Sequence, residues 1–255
     1  MIDMTEDLEA RLRQLPAADA HTLVALGYEL VGAQRLPEAE RCFRRAAELG
    51  DTAAVFALGN TLAAQERWEE ASSAYEAALA AGETLAWRTL GIVLDQAGDE
   101  DGALAAWRGA ADNGDRHAAA VCASRDWART RDPALEADLR AGAEVHGPVR
   151  ADLAALLRDT DRPDEARFVL EVGAKRGEPL AWLPLGNLYV DEMSDDEAAE
   201  EAYRTGIAAG DPRCHHNLGV LLLGRGDREG AVEQFDLGAA AGDELAVSAL
   251  RIFTD

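Results

Sequence analysis

The sequence predicts an all-α protein built from a repeated pair of helices, and three observations lead to this prediction. Alanine and leucine supply much of the 48% hydrophobic content, aromatic residues contribute 5%, and strand-forming runs of Val, Ile and Thr are missing. A Leu-Gly pair recurs at an interval of about 32 residues. Most of these intervals also end on a glycine followed by an acidic residue, a pattern typical of one helix ending and the next beginning.

The Leu-Gly pairs define the length of the repeating unit. Their glycines stand at positions 27, 59, 91, 186 and 219; the first three are 32 residues apart and the last two 33. The gap of 95 residues between Gly91 and Gly186 leaves room for two degenerate units centred on Ala123 and Ala154. A glycine inside a helix costs about 1 kcal/mol relative to alanine. Its recurrence therefore predicts that a second helix packs closely against the first at this point.

A second marker, twelve residues after each glycine, predicts what fills the space beside it. Its form is small-x3-large-x2-small, as in Ala39-Phe43-Ala46, Ala71-Tyr75-Ala78, Ala103-Trp107-Ala110, Ala166-Leu170-Gly173 and Ala231-Phe235-Gly238. Ala199-Tyr203-Gly206 fits with one extra residue in the preceding turn, and the fourth unit keeps only the spacing, with Leu135-Leu139-Gly142. We predict that the large residue of each second helix packs beside the small residue of the first.

The third marker places the ends of the units. Glycine suits the left-handed position beyond a helix, and the acidic residue suits the N-cap of the next helix. The pairs are Gly50-Asp51, Gly82-Glu83, Gly114-Asp115, Gly177-Glu178, Gly210-Asp211 and Gly242-Asp243. They predict seven units (20–51, 52–83, 84–115, 116–147, 148–178, 179–211 and 212–244), an N-terminal cap helix in 1–19 and a C-terminal cap helix in 245–255. Pro184 lies inside a predicted helix, so we expect that helix to bend or to start late.

Charge and composition limit the classes of partner that the protein is expected to bind and the cellular compartment in which it is expected to reside. The formal net charge is −23, with 48 acidic and 25 basic residues, which disfavours binding to nucleic acid and to anionic membranes. No run approaches eighteen apolar residues, and the acidic N-terminus does not resemble a secretory signal. Three dispersed cysteines predict free thiols in a reducing cytoplasm. Lys175 is the only lysine among many arginines, which indicates a high-GC bacterial coding sequence.

These markers resemble the tetratricopeptide repeat and its Sel1-like relatives. The sixth unit carries the closest match, Trp182-x2-Leu185-Gly186-x2-Tyr189 followed by Ala199-x3-Tyr203, and the likeness extends over about residues 20 to 244. The period is mostly 32 rather than 34, the usual closing proline is replaced by the acidic residue, and Asp126 stands where a large apolar residue is expected. The resemblance implies a right-handed α-solenoid, or superhelix, of about seven helix-turn-helix repeats with a cap helix at each end.

In the families that the sequence resembles, the first helix of each pair lines a concave groove that binds a peptide or helix of a partner. Carrying their groove positions to this sequence implies these partner-binding residues: Tyr28, Phe56, Asn60, Arg88, Ile92, Trp127, Arg158, Leu183, Asn187, Arg213 and His216. Asn60 and Asn187 each follow a repeat glycine, and an amide there could bond a peptide backbone or its own protein. Arg88 and Arg213 could likewise bind a partner carboxylate or an intramolecular one. The aromatic residues are anchors only if they are exposed.

The sequence offers no constellation for catalysis, and we expect no catalytic residue, metal or cofactor. Cys214-His215-His216 is the only Cys/His cluster, and adjacent helix residues point about 100° apart. The acidic run DEMSDDEAAEE at 191–201 is either a solvated face or a dock for a basic partner. The function predicted is a non-catalytic module that binds an unidentified protein or peptide, as a scaffold, adaptor or regulatory subunit. The alternative is a structural protein that associates with itself as a homodimer.

Overall fold

The predicted all-α class is confirmed. A computed structural model of the chain describes residues 18–254, with the side chains of 253 and 254 excepted, and within this range it contains fifteen α-helices and no strand. By contact the chain divides into two compact units, Met1–Ala119 and Ala120–Asp255. The predicted N-terminal cap helix, apart from residues 18 and 19, lies outside the described residues. The number of repeats, the superhelical hand and the caps stay predictions.

The helices follow one another through short turns in both units. In the first unit they are α1 Ala20–Gly32, α2 Leu36–Glu48, α3 Thr52–Ala63, α4 Trp68–Ala80, α5 Ala86–Ala97 and α6 Glu100–Asp112. The boundary between the units falls within α7 Arg116–Thr130. The second unit continues with α8 Glu136–Ala143, α9 Val149–Asp159, α10 Pro163–Lys175, α11 Trp182–Leu188, α12 Asp196–Ala208, α13 Arg213–Gly224, α14 Arg228–Ala240 and α15 Glu244–Thr254.

The recurring glycines touch the large residues of the second helices, as the sequence predicts. A Cβ atom on Gly27 would lie 2.6 Å from the Phe43 ring, and one on Gly59 would lie 2.7 Å from the Tyr75 ring. Both distances are far shorter than a carbon–carbon contact allows. The same clash would arise in three further pairs: Gly91 with Trp107, Gly186 with Tyr203 and Gly219 with Phe235. The close packing of the two helices compensates for the poor helix propensity of glycine.

Replacing Gly59 with alanine is expected to lower the free energy of unfolding by about 1–3 kcal/mol, because the buried Tyr75 ring must move. Gly32, at the end of α1, is the matched control, since nothing lies within 4 Å of the space that its Cβ would enter. Alanine at position 32 should leave stability unchanged or raise it by at most about 1 kcal/mol. Urea unfolding of both variants tests this, and equal effects would show that the glycine is not needed for packing.

The turns that close the predicted repeats have the expected geometry. Their glycines, at 50, 82, 114, 177, 210 and 242, have φ between 74° and 92°, which favours a residue without a Cβ. Asp51 then caps the next helix by accepting a hydrogen bond from the backbone N–H of Ala54 at 3.0 Å. Asp115, Asp211 and Asp243 also accept bonds from backbone N–H groups that follow them. Glu178 differs, because its carboxylate binds the Arg150 side chain instead.

The helix that contains Pro184 starts late, which is one of the two outcomes predicted for it. A 3₁₀ turn, Pro179–Ala181, precedes α11, so that Pro184 stands in the first helical turn, where its missing N–H breaks no hydrogen bond. The helix then widens into a π-helical turn, Tyr189–Met193. A π turn holds one more residue than an α turn and therefore absorbs the extra residue of the sixth predicted repeat.

Candidate functional site

In the first unit, the predicted partner-binding residues lie on α1, α3 and α5. Tyr28 is 56% exposed and packs edge-on against Phe43, and Ile92 is also exposed. Arg88 is exposed and pairs with Asp115 at 3.4 Å. Phe56 is half-buried, with its ring centre 5.7 Å from that of Tyr75. Tyr28, Ile92 and Arg88 are thus accessible, whereas Phe56 mainly supports the packing of its own helix pair.

Asn60, also in the first unit, is exposed but has an intramolecular role. The Tyr75 hydroxyl donates a hydrogen bond of 2.8 Å to the Asn60 Oδ1 atom. Burial raises the pKa of Tyr75 to about 12, so the hydroxyl keeps its proton and remains a donor. The bond holds the carboxamide by its oxygen, while the residue as a whole is exposed. Of the two roles predicted for Asn60, bonding to a peptide or to its own protein, the oxygen therefore has the second.

In the second unit, α11, the π turn, α12 and α13 surround a cleft of about 500 Å³. It brings together Asn187 and His216, two of the predicted binding residues. The cleft is lined by Asn187, Val190, Asp191, Asp196, Tyr203, His216, Asn217, Val220, Leu221 and Gly224. Its volume lies within the range usual for ligand sites, and its walls combine aliphatic side chains with amides and carboxylates.

A polar network centred on Asn187 orders the amides of the cleft. The Tyr203 hydroxyl donates to Asn187 Oδ1 at 2.8 Å, and Asn217 Nδ2 donates to the same oxygen at 2.5 Å. Burial raises the pKa of Tyr203 to about 12, which keeps this hydroxyl protonated. Within residues 18–254, Asn187 Nδ2 and Asn217 Oδ1 have no hydrogen-bond partner. The network therefore leaves one donor and one acceptor that are not used by the protein itself.

The His216 ring forms part of the wall of the cleft. The His216 ring lies 5.7 Å from the Phe235 ring, and its Nδ1 atom is buried without a hydrogen-bond partner among the described residues. Cys214 is fully buried, and burial raises the pKa of its thiol to about 12, far above the range of a nucleophilic cysteine. No cluster of metal-ligating side chains occurs in the described part of the chain.

Three other predicted residues of the second unit do not line the cleft. Arg158 lies at its edge and pairs with Asp191, a lining residue, at 2.9 Å. Leu183 is half-buried and packs against the core formed by α12, α13 and α14. Arg213 makes two hydrogen bonds of 2.8 Å to the buried Asp211, so its guanidinium already holds an intramolecular carboxylate.

The prediction that Trp127 binds a partner is wrong, because this side chain is 1% exposed and belongs to the core of the second unit. The reason lies in the second helix of the same predicted repeat. There the large position holds Leu139, which is smaller than Phe43, Tyr75 or Trp107 at the equivalent positions. The indole of Trp127 packs inward with Leu139 and fills the interior that an aromatic ring would otherwise occupy.

Comparison with known structures identifies the architecture. A tetratricopeptide repeat protein from Parabacteroides merdae matches with a TM-score of 0.65, 16% identity, and coverage of 92% of this chain and 99% of that one. A Sel1 repeat protein from Oxalobacter formigenes matches with a TM-score of 0.56 and 20% identity, and the match covers 96% of this chain and 90% of that one. The C-terminal part of a tetratricopeptide repeat protein from Cytophaga hutchinsonii matches with a TM-score of 0.58 and 12% identity, and the match covers 89% of this chain and 99% of that one. The chain has the tetratricopeptide/Sel1-like α-solenoid fold.

No protein-family model matches the sequence of this solenoid, and no curated protein sequence does. The fold therefore rests on the structure and on the repeat signature. Between residues 18 and 254, no helix of the solenoid combines the length and the apolar content needed to cross a membrane.

Sequence reasoning did not assign the cleft residues Val190, Tyr203, Asn217, Leu221 and Gly224 to binding, and it treated Asp191 and Asp196 only as part of the acidic run 191–201, either a solvated face or a dock for a basic partner. Two of them, Val190 and Asp191, belong to the π turn. The one available signal was the extra residue between Gly186 and Ala199, which marks a local widening of the helix. Asn217 carries no such signal, since it meets Asn187 only through the packing of α13 on α11.

Proposed function

We propose that this solenoid is a non-catalytic protein-interaction module, which holds an extended segment of a partner protein in the cleft of its second unit. The observation that carries the proposal is the pair formed by Asn187 Nδ2 and Asn217 Oδ1. The two amides are joined by the bond from Asn217 Nδ2 to Asn187 Oδ1, so the pair leaves one donor and one acceptor unused, and a peptide residue presents one N–H and one C=O to match them.

The surroundings of the two amides support this occupant. Val190, Val220 and Leu221 provide aliphatic walls for the side chains of the bound segment. Asn187 is already held by Tyr203, so its amide needs no reordering when the segment binds. The same residues offer no nucleophile with a neighbouring base, which is why we propose binding rather than catalysis.

The test combines capture with mapping. The purified chain is used to capture proteins from its native host, and each captured protein is tiled as overlapping synthetic peptides. We expect one contiguous segment to bind, and we expect Asn187→Ala with Asn217→Ala to weaken its binding by about tenfold or more, through the loss of two hydrogen bonds.

Asn60→Ala is the matched control, because Asn60 also follows a repeat glycine and also accepts a bond from a tyrosine, but lies in the first unit. It should leave the affinity of the segment unchanged. A segment that binds the double variant as tightly as the wild type, or that is weakened equally by Asn60→Ala, would contradict a site in this cleft.

A further inference from the structure

The cleft of the second unit carries an unbalanced negative charge. Two of its lining residues, Asp191 and Asp196, are carboxylates, and no lysine or arginine of the described chain lines it. The nearest cations lie outside the lining: Arg158 pairs with Asp191 at 2.9 Å, and Arg225 approaches Asp196 only to 3.5 Å. A positively charged group that entered the cleft would therefore meet two carboxylates and no like charge from its walls.

Each of the two arginines is shared between a lining carboxylate and a second acid. Arg158 contacts Glu192 at 3.1 Å, and Arg225 makes its shorter contact, 2.5 Å, to Glu200, which Arg204 also binds at 2.8 Å. All these pairs are partly exposed to solvent, where an ion pair is weak and its partners exchange readily. An incoming cation can thus share the carboxylates without breaking a buried salt bridge.

The acceptor used by the aromatic residue of the second helix decides whether a carboxylate is available here. In the third predicted repeat, Asp95 stands four residues after Gly91 and accepts a hydrogen bond of 2.9 Å from the Trp107 indole. In the sixth, Asp191 stands five residues after Gly186, and the aromatic residue Tyr203 donates to Asn187 instead. Because Tyr203 donates to Asn187, Asp191 stays at the cleft wall and does not bind the aromatic residue of the second helix of its own repeat.

We infer that the segment bound in this cleft is a basic one, with a lysine or arginine side chain placed between Asp191 and Asp196. This inference rests on the proposed function and specifies the chemistry of the partner. The amides of Asn187 and Asn217 hold the backbone of the segment, an adjacent aliphatic side chain packs on Val220, and the cationic end reaches the carboxylates. An acidic segment would be repelled by the same carboxylates.

A randomised 12-residue peptide display library is the probe, with the full chain as bait. We expect the selected peptides to be enriched in Lys and Arg, and depleted in Asp and Glu, relative to the unselected library. Synthetic copies should bind about tenfold more weakly to Asp191→Asn with Asp196→Asn than to the wild type, and more weakly at high salt. Asp138→Asn with Asp236→Asn removes the same charge from exposed positions on α8 and α14, and should not change the affinity.

Each other result has a definite meaning. Peptides without a basic bias that still depend on Asn187 and Asn217 would overturn this inference and leave the proposed function standing. Basic peptides that both aspartate pairs weaken equally would show attraction to the acidic chain as a whole, which also overturns it. Selection of no peptide that depends on the two asparagines would overturn the proposed function together with the inference.

Discussion

Replacing Trp127 with alanine should lower the free energy of unfolding by about 3–5 kcal/mol, because the substitution empties the core of the second unit. The indole is buried with Leu139, Leu153 and Leu157, and the Arg131 guanidinium lies 4.9 Å from its centre. These neighbours are held by helices on several sides and cannot collapse fully into the cavity. Urea unfolding followed by circular dichroism measures the loss, and hydrogen exchange should place it within the second unit.

The same experiment separates a core residue from a binding residue. Tyr28→Ala, which truncates an exposed aromatic side chain, should cost less than about 1 kcal/mol. Trp127→Phe should cost less than Trp127→Ala, since it keeps part of the buried volume. A Trp127→Ala variant of unchanged stability that lost a partner peptide would contradict the core assignment and restore the groove role that the sequence predicts.

The second large effect concerns the ion pair between Arg150 and Glu178. Arg150 is 3% exposed, and its Nε atom lies 2.8 Å and 3.1 Å from the two carboxylate oxygens of Glu178. Glu178→Ala would leave a buried guanidinium without its counter-charge, which typically costs about 3–5 kcal/mol. We expect a loss of this size in the free energy of unfolding, measured by urea titration.

The companion variants make this prediction specific. Arg150→Met with Glu178→Leu removes both charges, and should recover most of the stability that Glu178→Ala loses, since an apolar pair needs no desolvation of charge. Glu165→Ala breaks the exposed contact of Glu165 to Arg140 at 2.8 Å, and should cost less than about 1 kcal/mol. A Glu178→Ala variant no less stable than Glu165→Ala would mean that water reaches Arg150 and compensates for the lost carboxylate.

The positions of the predicted site residues could be assigned from the sequence more reliably than their roles. Asn187 and His216 line the cleft of the second unit, and their role in binding a partner stays a prediction. Arg213, however, binds Asp211, and Asn60 accepts a bond from Tyr75. A position in a repeat specifies where on its helix a side chain lies. It does not specify whether the polar atoms of that side chain are already hydrogen-bonded to another part of the same chain.

The sequence alone determined that the chain is helical and that its helices pack in pairs. Those features depend on residues at constant offsets: the glycine that a ring of the next helix contacts, and the glycine and aspartate that end one helix and start another. Only the tertiary structure decided that Trp127 is buried, that Glu178 binds Arg150, and that Asn187 and Asn217 meet in a cleft. Each of these contacts joins side chains from different helices, and it forms only because several helices together supply the right volumes and hydrogen-bonding groups. A periodic pattern within the sequence carries no information about such contacts.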